Sequence, residues 1–123
     1  MTRINVVPVS ELSRQHLIAE YREITRLPKN LKKSLNRKSK PFSVSEIPPE
    51  YVLGKGHVKF FYDKFLFLKK RYAQILERMD EKEYTTNFRD LSIFDVGPEY
   101  MGDYIPTEEA LALNRKRIEE RGG

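Results

Sequence analysis

The chain of 123 residues contains no cysteine and no tryptophan, and only two histidines. Without cysteine there can be no disulfide, no thiolate chemistry and no Cys-based zinc or iron–sulfur centre, which fits a reducing compartment. His16 and His57 lie far apart and neither has a second histidine four residues away, so a transition-metal site is not expected. Long apolar runs are missing too. The most apolar stretch, Val58 to Leu68, is interrupted by Lys59, Asp63 and Lys64, and falls well short of the roughly 20 residues that span a bilayer. The opening residues Met1-Thr2-Arg3-Ile4-Asn5-Val6-Val7 lack the apolar centre of a signal peptide. Together these absences predict an unexported, cytoplasmic protein with no dedicated transition-metal site and no membrane partner.

What is present is charge. Charged residues make up 33% of the chain, above the roughly 25% of an average domain, while 39% apolar residues suffice for one hydrophobic core. The length predicts a single domain over residues 1–123. The net charge of +5 is unevenly placed: residues 1–40 hold ten basic and three acidic residues, a local +7, and the remainder carries −2. A basic third on a slightly acidic body matches a one-sided footprint for phosphates. A solvated helix face explains the same charge equally well.

Periodicity predicts an all-α class: three main helices joined by long irregular loops. Ser10, after Pro8 and Val9, reads as the N-cap of a first helix to about Leu27, with Glu11 near its positive end. Pro28 marks a stop or kink, residues 29–37 can continue helically, and residues 38–49, with Pro41, Pro48 and Pro49, read as irregular. A second helix from about His57 to Met79 carries Val58, Phe61, Phe65, Leu68, Tyr72, Ile75 and Met79 at spacings of three and four, a core stripe. Residues 82–106 show little periodicity, and so long a connection is functional or tightly packed. Thr107 caps a third helix to about Glu120, with Glu108 and Glu109 at its start.

On a helical wheel of about 100° per residue, the first helix splits into two arcs. Leu17, Tyr21, Ile24 and, if the helix continues, Leu31 face the core. Gln15, Ala19, Arg22, Glu23 and Arg26 fall opposite, with His16 at the edge. Pattern alone favours an ordinary i, i+3 ion pair between Glu23 and Arg26 on a wet surface. The functional reading has the arginines hold phosphates while Glu23 stabilises positive charge or moves a proton.

No nucleophilic side chain stands out, but the chain start is a candidate. With Met1 removed, Thr2 would present a free α-amine whose reference pKa of about 7.7–8.0 leaves on the order of a tenth unprotonated at pH 7, several hundred times the neutral fraction of a lysine. Such amines attack carbonyl-type carbons and form Schiff bases. A retained Met1 would bury that nitrogen in an amide. Gly54-Lys55-Gly56-His57 could form an anion-binding nest, although glycines permitting a tight helix start, with His57 hydrogen-bonded inside, explain it better. Arg115, Lys116, Arg117 and Arg121 either complement the last helix's C-terminus or add a second phosphate-binding edge.

Taken together, Met1-Thr2-Arg3-Ile4-Asn5, Ser10-Glu11-Leu12, Gln15-His16-Leu17, Ala19-Glu20-Tyr21-Arg22-Glu23 with Arg26, Gly56-His57-Val58, Phe60-Phe61-Tyr62-Asp63-Lys64 and Gly102-Asp103-Tyr104-Ile105-Pro106 closely resemble the pyrimidine-dimer DNA glycosylase family, the phage-type endonuclease V. The resemblance implies a compact helical monomer that acts on cyclobutane pyrimidine dimers in UV-damaged double-stranded DNA. It implies glycosylase and abasic-site lyase activities in one site, without cofactor. It maps the family's amine nucleophile onto Thr2, its glutamate onto Glu23 and its DNA-gripping arginines onto Arg3, Arg22 and Arg26. Gln15 and His16 then lie beside the site, and Arg117 and Arg121 near the DNA. Arg22 and Arg26 are expected to keep Glu23 ionised at neutral pH. The family's phage member also carries a tail rich in Trp and Tyr, for which this chain has no tryptophan counterpart.

Overall fold

The computed structural model describes residues 4–121; Thr2 and Arg3 lie outside the described residues. Five helices form, α1 (Arg14–Ile24), α2 (Leu27–Leu35), α3 (His57–Phe60), α4 (Phe65–Glu81) and α5 (Glu108–Glu120). A short 3-10 turn at Val9–Glu11 precedes α1, and others at Val44–Glu46, Leu91–Phe94 and Pro98–Tyr100 lie between the helices. Among the described residues there is no strand, only an isolated antiparallel bridge between Lys64 and Met101. The all-α class read from periodicity is the class adopted, but two of the three predicted helices divide.

The first helix begins later than Ser10, which lies within the Val9–Glu11 turn. Ser13 is the cap: its hydroxyl accepts the His16 backbone N–H at 3.3 Å. The helix also ends earlier. Thr25 closes it, donating its hydroxyl to the Arg22 carbonyl at 2.9 Å, and α2 starts afresh with Pro28 in its first turn. An N–H in that turn has no intrahelical partner to lose, so the proline opens a helix rather than stopping one.

The second helix breaks at residues 61–64 because another part of the chain occupies the gap. The Gly102 N–H donates to the Asp63 carbonyl at 2.9 Å, and the Gly102 carbonyl accepts from Leu66 N at 3.1 Å. A Cβ at position 102 would collide with the Asp63 carbonyl oxygen, so the backbone approach requires glycine. The break leaves the apolar stripe intact: Phe61, Phe65, Leu68, Tyr72, Ile75 and Met79 are all buried, whereas Val58 is only partly so. The third helix fits its predicted bounds, and Thr107 accepts from Ala110 N at 3.0 Å as its cap. In the aperiodic stretch before it, Phe94 is fully buried against Phe65 and Tyr72.

α1 packs on α4 through Leu17, Tyr21 and Ile24, with the Tyr21 and Tyr72 rings stacked at 6.2 Å. The same contact holds a charge pair. Glu20 and Arg71 are 1% and 3% exposed, and Arg71 donates from Nε to Glu20 Oε2 at 2.7 Å and from Nη2 to Oε1 at 2.9 Å. Two buried charges of this kind are tolerable only when paired and hydrogen-bonded. Arg71→Met should therefore strand the Glu20 carboxylate and lower unfolding free energy by about 3–5 kcal/mol, measured by urea denaturation; a loss under about 1 kcal/mol would contradict a buried pair.

The Tyr72 hydroxyl donates to the Phe88 carbonyl at 2.6 Å. Burial, reinforced by neighbouring Tyr21, pushes its pKa up to about 12. An unfolded tyrosine ionises near pH ~10. The folded chain thus holds a proton that the unfolded chain releases, and stability present below pH ~10 is lost as pH rises toward 12. Tyr72→Phe should flatten this alkaline loss in pH-dependent denaturation; an unchanged slope would assign it to other groups.

Candidate functional site

Residues 4–7 form no regular element, yet Ile4, Asn5, Val6 and Val7 are all buried. Their backbone polar groups must find partners there, and side chains from four parts of the chain supply them. The Ile4 N–H donates to His57 Nε2 at 3.0 Å, and the Ile4 carbonyl accepts from Tyr51 Oη at 3.1 Å. Val6 and Val7 N–H groups both reach Asn114 Oδ1, at 2.6 and 3.1 Å, and Arg71 Nη1 donates to the Val7 carbonyl. Asn5 bridges two helices: its Nδ2 donates to Glu20 Oε1 of α1 at 2.9 Å, and its Oδ1 accepts from Asn114 Nδ2 of α5 at 2.8 Å.

The Gly54–Gly56 turn serves this arrangement. Both glycines have positive φ, 74° and 88°, and the turn they allow brings His57 inside. Its Nδ1 faces the Val52 carbonyl at 2.7 Å, which fixes the tautomer with Nε2 free to accept from Ile4. The structural reading of this motif is the one adopted.

Both flanking helices continue past Asn5. Glu23 follows Glu20 by one helical step of about 4.5 Å on nearly the same face, and His16 precedes it by one turn. Glu23 sits at the border between that face and the exposed arc of Gln15, Ala19, Arg22 and Arg26. On α5, Arg117 and Arg121 extend the stripe begun by Asn114. Burial drives the Tyr51 hydroxyl pKa far above the ordinary tyrosine value, with Glu20 raising it further and Arg71 and Arg117 opposing. Arg117 is thus within electrostatic reach of the hydroxyl that holds Ile4. The start of the described chain is gripped between a helix carrying Glu23 and a helix carrying Arg117.

Of the predicted site residues, Thr2 and Arg3 lie outside the described residues. Glu23 is half-buried and accepts from Arg26 Nη1 at 3.0 Å, the i, i+3 pair expected from pattern. Arg22 and Gln15 are exposed, and neither side chain has a partner among the described residues. His16 is half-buried, with a buried Nδ1 that has no hydrogen-bond partner among them. Arg117 lies 4.0 Å from Glu120, and Arg121 is exposed at the end of α5. Arg115 forms a two-pronged pair with Glu11 at 2.9 and 2.8 Å, which offsets its charge. Among the described residues no group of three or more His, Cys, Asp or Glu could hold a metal ion.

The residues that sequence reasoning missed are the anchors: Asn5, Glu20, Tyr51, Arg71 and Asn114. Asn5 and Glu20 are separated by 15 residues, and Asn5 and Asn114 by 109, so no local spacing could reveal them. Glu20 also alters the charge map. It is neutralised inside the core, and Glu11 is held by Arg115. Glu23 is left as the only acid of the first 40 residues within an exposed run of Arg22, Arg26, Lys29, Lys32 and Lys33.

Arg22→Ala should lower the salt concentration needed for elution from a heparin column by more than Arg115→Ala, whose charge Glu11 already offsets. Equal shifts would mean that net charge alone, and no localised face, governs polyanion binding. The family model described as pyrimidine dimer DNA glycosylase matches residues 1–91 of the chain, the stretch that includes α1 to α4.

Proposed function

Because the chain belongs to the pyrimidine dimer DNA glycosylase family, a family of DNA repair enzymes acting on damaged DNA, we propose that it removes a base at cyclobutane pyrimidine dimers in duplex DNA and then cleaves the strand in the same site. The observation that carries this reading is the anchoring of Ile4. Ile4 is held by His57 and Tyr51 beside Asn5, which bridges α1, the helix of Glu23, and α5, the helix of Arg117. The connection through the Val9–Glu11 turn leads from Val7 back to the start of α1, while Asn5 faces Glu20. The segment from Asn5 to Val7 thus runs opposite to α1.

In the proposed reaction the Thr2 α-amine, freed by removal of Met1, attacks C1′ of the dimer's 5′ nucleotide. The C1′–N bond breaks, its electron pair leaves with the base, and the sugar ring opens to a protonated imine after the amine gives up a proton. The iminium acidifies the C2′ proton. Its removal drives β-elimination, in which the C3′–O bond breaks and the 3′ phosphate leaves. Water then hydrolyses the imine and restores the amine. Glu23, a carboxylate beside this carbon, stabilises the cationic sugar and carries protons. Arg3, Arg22, Arg26, Arg117 and Arg121 hold phosphates, with Gln15 and His16 beside the reacting sugar. A damaged, poorly paired site is the cheapest place to open a duplex for this attack.

The test is borohydride trapping of Met1-processed protein on a duplex with one thymine dimer. A covalent adduct and strand cleavage are expected, both lost when the amine is acetylated. Glu23→Gln should bind the same duplex within about twofold and lose at least 100-fold in cleavage, the scale of one acid–base residue. Salt-sensitive binding with neither adduct nor cleavage would mean a non-catalytic DNA-binding module.

A further inference from the structure

Among the described residues every aromatic side chain is buried or half-buried except Phe88, which is 40% exposed. An isolated exposed apolar residue on a mobile loop would mean little, but this loop is held at the Asn87 N–H and at both the N–H and the carbonyl of Phe88. Tyr21 Oη accepts from Asn87 N and Phe88 N, both at 2.8 Å, and donates to the Phe88 carbonyl at 3.2 Å. Tyr72 Oη donates to that same carbonyl. On the next residue, Arg89 forms a two-pronged pair with Asp80 at 3.0 and 2.8 Å and also donates to Thr86 Oγ1 at 2.8 Å. Two buried tyrosines and an ion pair therefore hold a phenyl ring out toward water, at the loss of its own burial.

The ring's location shows what it faces. With Thr25, Pro28, Lys29 and Ile93 it lines an open groove of about 350 Å³ at the junction of α1 and α2. Thr25 is bonded to the Arg22 carbonyl and lies between Glu23 and Arg26 in the chain. Lys29, at the groove, is exposed, as are Arg22 and Arg26. A flat apolar ring within a row of exposed cations matches the chemistry of a nucleic-acid strand, whose phosphates take the cations and whose bases offer π-faces.

We propose that Phe88 is a base-stacking residue: its ring packs against a nucleobase that has lost a stacking neighbour where damaged duplex is opened beside the α1–α2 face. This rests on the DNA glycosylase reading and adds a contact that recognises distortion rather than charge. Phosphate contacts to Arg22 and Arg26 form on any duplex, whereas a ring gains a partner only where a base face has been exposed. Loop rigidity matters for the same reason, since a ring already fixed in place loses little conformational entropy on stacking.

The experiment compares wild type with Phe88→Ala, Phe88→Leu and Phe88→Tyr, measuring affinity by fluorescence anisotropy over a salt series. The two probes are a short duplex with one thymine dimer and the same duplex undamaged. Phe88→Ala should bind the dimer duplex about tenfold more weakly, the loss of one base stack. It should bind undamaged duplex as wild type does and keep the wild-type salt slope on both. Phe88→Tyr should restore affinity, and Phe88→Leu, apolar without a π-face, should not. Equal affinity of all four proteins, equal weakening on both duplexes, or full rescue by leucine would each overturn the proposal. Wild-type cleavage of the dimer duplex alongside an unaffected Phe88→Ala would sink this inference alone. A wild type that neither prefers nor cleaves that duplex would sink the glycosylase reading along with it.

Discussion

The buried pair of Glu20 and Arg71 is the constraint from which the rest of the molecule follows. Neither charge could enter the α1–α4 contact alone, and the two together leave spare hydrogen-bonding capacity that must also be met inside the core. Asn5 and the Val7 carbonyl meet it. The pair thereby draws an extended segment into the middle of a helical protein and supplies its backbone with partners that no helix or sheet provides. Chain ends ordinarily fray. Here the chain is fixed from Ile4 onward by groups of the interior instead of by a surface loop.

This arrangement also refines the surface. A carboxylate near clustered arginines and lysines is usually one of several that balance them. In this chain Glu20 is withdrawn into the core and Glu11 is committed to Arg115, so Glu23 stands as a single anion in a cationic run, itself paired with Arg26. The contrast is local: a cationic face attracts a polyanion, and one carboxylate sits within it.

How much of this could be read from the chain depends on how far apart the interacting residues are. The core stripe from Phe61 to Met79 and the Thr107 cap rest on contacts within a turn or two, and periodicity finds them. The break at residues 61–64 does not, because it is made by Gly102, some forty residues later. Ser10 lost to Ser13 as the first cap because the Val9–Glu11 segment closed into its own 3-10 turn, a choice between two acceptable serines that tertiary packing made. Glu23 and the arginines around it were legible as an amphipathic arc. Their link to the chain start was not, because it passes through Glu20, Arg71 and Asn114, polar residues whose burial contradicts what their type suggests. Phe88 escaped notice for the opposite reason: an apolar residue in an aperiodic stretch is assumed to be inside.

Asn114 carries a consequence for synthesis. It receives the N–H groups of Val6 and Val7 across more than a hundred residues, so these two leave a ribosome long before their acceptor does. Until α5 has emerged, the Val6 and Val7 N–H groups lack their acceptor and Asn5 lacks one of its two partners. Contacts of such long range slow folding, because a large loop must close before they reward it. A chain halted before residue 114 would keep the basic face and the His57 and Tyr51 contacts of Ile4, yet would leave the Val6 and Val7 N–H groups without their acceptor.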